Sequence, residues 1–336
     1  MSVSFPYSGR EEIRPDWAVL IASELDLIEA KLESVVASSV SPAFDLSVHL
    51  LSAGGKRIRP ALVVLSALAS GGCEAGRIVN LAAVAELMHM ASLVHDDVVD
   101  ETTERRGVDT TNEKWGNKIS VLGGDYLLSK AFSLLAEEGS SDVLRVLANT
   151  AVRMTESEIL QASGEGDISV WERNYWRIIR DKTADFMGAC CECGAILGGA
   201  DAAMRNALRE YGVQLGLAFQ VTDDVLDIIG DPELTGKEVG TDLMHGKFTL
   251  PVLLALPNLD ESCAEEMREM LGKGVLTHLE VRRAAKLIID SGAVELARQS
   301  ASDCADKACE YLAQVPASEY RQALESLAGF VIYREA

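Results

Sequence analysis

Strand-like alternation of apolar and polar residues is essentially missing from this chain of 336 residues. Aromatic residues make up only 5%, while Ala and Leu are abundant, a balance that favours packed helices over sheets. Positive charge is in deficit: 31 Lys and Arg stand against 52 Asp and Glu, for a net charge of −21. That argues against nucleic acid or an anionic membrane surface as the main partner. A small anionic substrate stays open, because local basic residues decide it. A disulfide framework is missing too. The 7 cysteines are odd in number and scattered, which points to a reducing compartment. Cys190 and Cys193 form a C-x-x-C, but no second short cluster supplies the other two ligands of a zinc site. Small buried residues on a helix is the better reading. The opening stretch, Met1 to Asp16, is polar and contains Pro6 and Pro15, so no secretory signal is expected. No run of ~20 apolar residues is evident, so no transmembrane segment is expected. These readings predict a cytoplasmic protein.

What the chain does have is helical periodicity. Leu20, Leu25, Ile28 and Leu32 recur at helical spacing, with acidic residues between them. Similar patterns predict helices over about 17–39, 42–53, 60–70, 76–100, 118–137, 141–163, 171–198, 201–229, 247–256, 261–271, 278–290, 293–313 and 317–333. The connectors carry turn residues, among them Gly71-Gly72, Gly139-Ser140 and Gly230-Asp231-Pro232. The expectation is a single all-α domain over 1–336, a bundle of roughly a dozen helices, with 1–15 a loose N-terminal arm.

One acidic phrase occurs twice, 127 residues apart (223 minus 96): Asp96-Asp97-Val98-Val99-Asp100 and Asp223-Asp224-Val225-Leu226-Asp227. On a helix of ~3.6 residues per turn, positions i, i+1 and i+4 are expected on nearly one face. Carboxylates so grouped repel each other, and their apolar neighbours argue against a merely solvated face. They supply hard oxygen ligands of the kind magnesium takes together with substrate phosphates. Basic residues next to turns reinforce this. Gly54-Gly55-Lys56-Arg57-Ile58-Arg59-Pro60 places three cations together, Arg105-Arg106-Gly107 follows the first acidic cluster, and Lys182-Thr183 lies mid-chain. Gly236-Lys237 and Gly246-Lys247 follow the second cluster. Lys and Arg so placed read as phosphate contacts. Metal and cations together would neutralise a departing pyrophosphate, and apolar walls would shield the carbocation left behind. The residues alone therefore describe a magnesium-dependent enzyme acting on a diphosphate with an apolar tail.

At these residues the chain resembles the trans-isoprenyl diphosphate synthases, the polyprenyl synthetase family. The resemblance rests on seven motifs in order: GGKRIRP at 54–60, ELMHMASLVHDDVVD at 86–100, RRG at 105–107, GGDYLL at 123–128, KTA at 182–184, FQVTDDVLD at 219–227 and GKEVGTDLMHGKFTLP at 236–251. It implies an all-α isoprenoid synthase fold with a deep central cavity and the two aspartate motifs facing each other across it. It implies head-to-tail condensation of isopentenyl diphosphate with an allylic diphosphate. Asp96, Asp97, Asp100, Asp223, Asp224 and Asp227 would bind magnesium, roughly three ions per site with substrate bound, manganese being an alternative. Catalysis would fall to Asp96, Asp97, Asp100, Lys182, Asp223 and Asp224. The allylic diphosphate would be held by Arg105, Lys182, Thr183, Gln220, Lys237 and Lys247, and isopentenyl diphosphate by Lys56, Arg59, His89 and Arg106. His89 lies two helical turns before Asp96, so it can line the same cavity; His95 is left structural. The resemblance also implies a homodimer. It breaks after RRG, where Val108-Asp109-Thr110 stands in place of the family's Pro or Ser before Thr.

In this family the residues one and two turns before the first aspartate form the cavity floor. Here they are Ser92, Ala91 and Met88. The first two are small where short-chain members often carry an aromatic, so a product longer than C15 is expected, with a short-chain farnesyl or geranylgeranyl diphosphate synthase the alternative. A class I terpene cyclase is a more distant reading, disfavoured because GGKRIRP supplies a second diphosphate site. A non-catalytic partner subunit is disfavoured because neither cluster has lost an aspartate, and a cation-binding helical scaffold would show no turnover. Substituting Ala91→Phe is expected to shorten the product; an unchanged product ladder on chromatographic analysis would contradict this account of the floor.

Overall fold

Twenty-five consecutive residues, Ala75–Val99, form a helix that is apolar nearly all round, and such a helix is stable only when other elements enclose it. The computed structural model describes residues 15–105, 107–230 and 239–333. They fall into two compact units. The first takes the described residues up to Leu144, together with Cys190–Arg205 and Pro316–Ser326. The second takes Arg145–Ala189, Asn206–Val315 and the described residues from Leu327 onward.

In the first unit the chain runs through α1 (Asp16–Leu20), α2 (Ala22–Val35), α3 (Ser41–Ser52), α4 (Ile58–Ala69) and α5 (Ala75–Val99). A two-residue hairpin follows, β1 (Glu104–Arg105) against β2 (Val108–Asp109), then α6 (Thr111–Trp115) and α7 (Asn117–Glu138). Helix α5 is enclosed by α2, α4, α6 and α7. Leu81, Ala82, Ala83, Val84 and Leu87 of α5 and Ala61 to Leu65 of α4 are buried. Small residues let these helices close up. Gly194, on α10 (Asp185–Leu197), has no room for a side chain: a Cβ there would lie 2.4 Å from the Val63 carbonyl oxygen and 3.0 Å from the Ala67 nitrogen. Cys190, Cys191 and Cys193 share this helix, all free and fully buried. Burial pushes each thiol up, the opposite of a reactive or metal-binding cysteine.

The second unit is built from α8 (Ser141–Ser163), α9 (Ile168–Ile179), a single π-helical turn (Arg180–Ala184) and the start of α10. It continues with most of α11 (Ala202–Ile229), then α12 (Thr241–Met244), α13 (Leu250–Ala255), a 3₁₀ turn (Leu256–Asn258), α14 (Glu261–Leu271), α15 (His278–Asp290), α16 (Ala293–Leu312) and the second half of α17 (Glu319–Tyr333), whose first half belongs to the first unit. Helix α13 packs on α9, α15 and α16, and Tyr175, Phe186, Tyr211 and Phe248 fill the interior. Local chemistry sets the ends. Asp167 caps α9 by accepting from the Ser169 N–H, and Thr277 and Glu280 form a capping box on α15.

The all-α expectation holds among the described residues, with the two-residue hairpin the exception to an absence of strands. The helix expected over 171–198 starts earlier, at Ile168, and is interrupted by the π-helical turn. Pro15 is the one residue of the expected N-terminal arm that is described. By length and composition α5 and α7 could cross a bilayer, which the sequence reading did not anticipate; 72% of the α5 stretch is buried inside the protein, as a core helix would be. Replacing Gly194→Ala is expected to destabilise the protein by about 1–2 kcal/mol, because overpacking against backbone outweighs the ~1 kcal/mol gain in helix propensity. A denaturation midpoint at or above wild type would show that the two helices can part more easily than this.

Candidate active site

A helix turns by about 100° per residue, so an Asp-Asp-x-x-Asp phrase cannot present all three carboxylates alike. In the first unit Asp96 and Asp100, one turn apart near the end of α5, are partly exposed, whereas Asp97 is 2% exposed. A buried carboxylate needs a partner, and Asp97 has one. Arg105, on β1, reaches its Oδ1 with Nε at 2.8 Å and Nη2 at 2.7 Å. Burial pushes the Asp97 carboxyl above its ordinary range, Arg105 pulls it back, and Asp96 and Asp100 add to the rise.

The same unit holds a cavity whose wall includes His49, Gly54, Arg57, Glu86, His89, Leu93, Asp97, Arg105, Asp109 and Thr111. His89, Leu93 and Asp97 stand at intervals of four along α5, one face of the helix. The hairpin carrying Arg105 is tied to α3 by His49, whose Nε2 lies 2.8 Å from the Asp109 carbonyl oxygen. Arg57 is not a free phosphate contact. It sits at φ +50° with its guanidinium buried, reaching Glu29 at 2.5 Å and Glu86 at 2.7 Å. Burial works against its charge, and the two carboxylates more than offset this and push its pKa up.

The second unit repeats the pattern. Asp223 and Asp227 on α11 are partly exposed and Asp224 is 1% exposed. Asp224 accepts from Tyr175 Oη at 2.6 Å and from Gln220 Nε2 at 3.0 Å. Burial, with Asp242 adding to it, pushes its carboxyl up to about 7 against the pull of those two hydrogen bonds. Thr183 Oγ1 donates to Gln220 Oε1 at 3.1 Å. Lys182, beside it in the π-helical turn, pairs with Glu158. The turn is flanked by Asp185, which is 2.7 Å from Arg153 and 3.5 Å from Arg180. Asp227 accepts from the Asp242 N–H at 3.3 Å, which holds the start of α12 beside the cluster. Lys247 is buried on the following loop. That loop is fixed by Gly246, whose carbonyl accepts from the Gly166 N–H at 2.9 Å. Gly246 has φ +66°, and a Cβ there would lie 2.7 Å from Gly166 N. This explains the glycine before the lysine.

Two expectations change. The three carboxylates of each cluster do not share one face: Asp97 and Asp224 turn into the protein, because position i+1 lies about 100° round from i. Arg57 drops out of the cationic group at 54–60. Of the residues expected around isopentenyl diphosphate, His89 lines the cavity. Lys56 is exposed and Arg59 half-buried on either side of Arg57, and neither forms part of the cavity wall. Arg106 and Lys237 lie outside the described residues. Met88 and Ala91 are buried, Ser92 donates to the His89 carbonyl at 2.9 Å, and none of the three belongs to the cavity wall. His95 packs over Gly124 of α7. Sequence reasoning missed His49, Glu158, Tyr175 and Asp242. Only Asp242 left a signal, as an acid within the GKEVGTDLMHGK stretch.

The family model described as polyprenyl synthetase matches residues 43–288. The octaprenyl diphosphate synthase of Escherichia coli (strain K12) is 38% identical over 316 residues, covering 94% of this chain and 97% of that protein. The short chain isoprenyl diphosphate synthase of Methanothermobacter thermautotrophicus is 39% identical over 293 residues, covering 86% and 89%. Among solved structures, polyprenyl synthase from Caulobacter crescentus CB15 complexed with calcium and isoprenyl diphosphate superimposes with a TM-score of 0.92 at 39% identity, covering 97% of this chain and all of that one.

Proposed function

This chain belongs to the polyprenyl synthetase family, and we propose that it condenses isopentenyl diphosphate head-to-tail with an allylic diphosphate to give an all-trans polyprenyl diphosphate longer than C15. The observation that carries this reading is the repeated arrangement of the two clusters. Each presents an outer pair of carboxylates, Asp96 with Asp100 and Asp223 with Asp227, and keeps the middle one buried on a partner. Hard, paired oxygen donors fit magnesium, which takes one or two protein carboxylates and completes its shell with water and phosphate oxygens. Among the described residues, no group of three or more His, Cys, Asp and Glu side chains is placed to hold an ion by itself. When bound, magnesium would neutralise charge on the leaving pyrophosphate.

The chain's own residues supply the rest. Arg105, Lys182, Lys237 and Lys247 bring positive charge to the allylic diphosphate. Its C1–O bond breaks with the electron pair leaving on pyrophosphate. The isopentenyl double bond attacks C1, and loss of a proton from the neighbouring carbon creates the new trans double bond, with the released pyrophosphate the base. His89, Lys56, Arg59 and Arg106 hold isopentenyl diphosphate. The cavity around His89 and Arg105 supports the placement of His89 in the first unit. Lys182 is held by Glu158 and Arg105 by Asp97 in this structure, so each would exchange or share its carboxylate when phosphate binds. Both units belong to one catalytic domain in this reading, because the family match runs through both.

Similarity alone does not set the product, since the octaprenyl and short-chain relatives match this chain about equally. The small Ala91 and Ser92 carry the preference for a longer product. A homodimer is supported by α7, which exposes Val121, Leu122 and Phe132.

Incubation with magnesium, isopentenyl diphosphate and C5, C10, C15 and C20 allylic starters is expected to yield products beyond C15, with pyrophosphate released only when both substrates are present. Release from the allylic diphosphate alone, with a cyclic hydrocarbon as product, would replace this reading with a terpene cyclase. Products ending at C15 would make the enzyme short-chain.

A further inference from the structure

A line of three hydrogen bonds in the second unit joins α9, α11 and the π-helical turn. Tyr175 Oη donates to Asp224 Oδ2 at 2.6 Å, Gln220 Nε2 donates to Asp224 Oδ1 at 3.0 Å, and Thr183 Oγ1 donates to Gln220 Oε1 at 3.1 Å. Thr183 stands beside Lys182, so the line ends where the reading above places the allylic diphosphate. Tyr175 is at the other end, fully buried and packed edge-on against Trp176 with ring centres 5.3 Å apart.

We propose that Tyr175 is a positioning residue for the allylic substrate, acting through Asp224 and Gln220 to fix the direction in which the Thr183 hydroxyl points. The inference rests on the proposed prenyl-transfer activity. Its logic is the polarity of the groups. Each Asp224 oxygen receives a donor here, an amide has one donating and one accepting end, and a hydroxyl has a single hydrogen. With Asp224 as acceptor, the Gln220 NH₂ must face it. The Gln220 oxygen must then face Thr183. The threonine hydrogen is committed to that oxygen, which holds the Thr183 side chain in one orientation beside Lys182.

Tyr175 keeps this order because Asp224 is buried and its carboxylate would otherwise turn. A buried network whose members are all satisfied is rigid, and one that loses a member can reorganise. The π-helical turn contributes too. Its extra residue re-aims the side chains of Arg180–Ala184 relative to a regular helix, and Thr183 meets Gln220 there. Tyr175 lies 49 residues from Asp224 in sequence, and its neighbour Trp176 makes the pair read as ordinary helix packing.

The test is a double-mutant cycle in the full-length enzyme with Tyr175→Phe, which removes one oxygen, and Thr183→Val. Tyr175→Phe is expected to lower kcat/KM for the allylic diphosphate about tenfold, the scale of one hydrogen bond to a charged group. The KM for isopentenyl diphosphate and the magnesium concentration for half-maximal rate should stay at wild-type values. In the Thr183→Val background the same change should have less than about a twofold effect, since the two act as one unit. Thr183→Ser should keep the coupling. If Tyr175→Phe does not fold by thermal melt, Gln220→Met breaks the line in the middle and should show the same loss and the same dependence on Thr183.

A loss undiminished in the Thr183→Val background, an equal loss for both substrates, or a folded Tyr175→Phe enzyme with wild-type kinetics would overturn the proposal. A wild-type chain that transfers no prenyl group would instead overturn the functional reading. The cycle, read as equilibrium binding of an allylic thiolodiphosphate, then still decides the positioning role.

Discussion

Adjacent carboxylates on a helix cannot point the same way. The chain places Asp-Asp-x-x-Asp near the end of α5 and again on α11, and at about 100° per residue the first and fifth positions line up while the second turns away. The turned carboxylate must then be buried and satisfied. Leaving a charge buried without a partner costs several kcal/mol, and a hydrogen bond to a charged group returns about 1.5–3 kcal/mol. Asp97 is satisfied by Arg105 and Asp224 by Tyr175 and Gln220. Much of the local structure around each cluster follows from these pairings. One anchors the hairpin that carries Arg105, and the other links α11 to the π-helical turn with Lys182 and Thr183.

The supporting structure is arranged around that constraint. Helix α5 is apolar all round and enclosed, so its acidic end is held rigidly. The hairpin is tied to α3 through His49, and the loop bearing Lys247 is set by a backbone contact that only glycine permits at position 246. The cations proposed to meet a diphosphate are meanwhile paired with carboxylates: Arg105 with Asp97 and Lys182 with Glu158. An enzyme of net charge −21 can in this way keep strongly cationic side chains ordered before a polyanion arrives.

The fold class was legible in the sequence because Leu, Ala and helical periodicity dominate it, and a candidate site was legible too, because aspartates amid apolar helix and cations beside glycine turns have few other uses. The orientation of Asp97 and Asp224 was legible in principle from helix geometry alone. The π-helical turn was not, since Arg180-Asp181-Lys182-Thr183-Ala184 is compatible with regular helix and its register is set by packing. Nor were Tyr175 and His49, whose partners lie 49 and 60 residues away and whose local surroundings look like helix interior. Arg57 misled for the same reason: beside Lys56 and Arg59 it reads as part of a phosphate cradle, and only Glu29 and Glu86, 28 and 29 residues off, show that it belongs to the core.

The division of labour within each cluster is the central claim, and a magnesium titration of single Asp→Asn variants tests it most directly. The account predicts that Asp96→Asn and Asp223→Asn raise the magnesium concentration needed for half-maximal prenyl transfer, while Asp97→Asn and Asp224→Asn leave it at the wild-type value and lower the rate at saturating magnesium. Magnesium dependence that shifts as much for the buried aspartates as for the outer ones would contradict it.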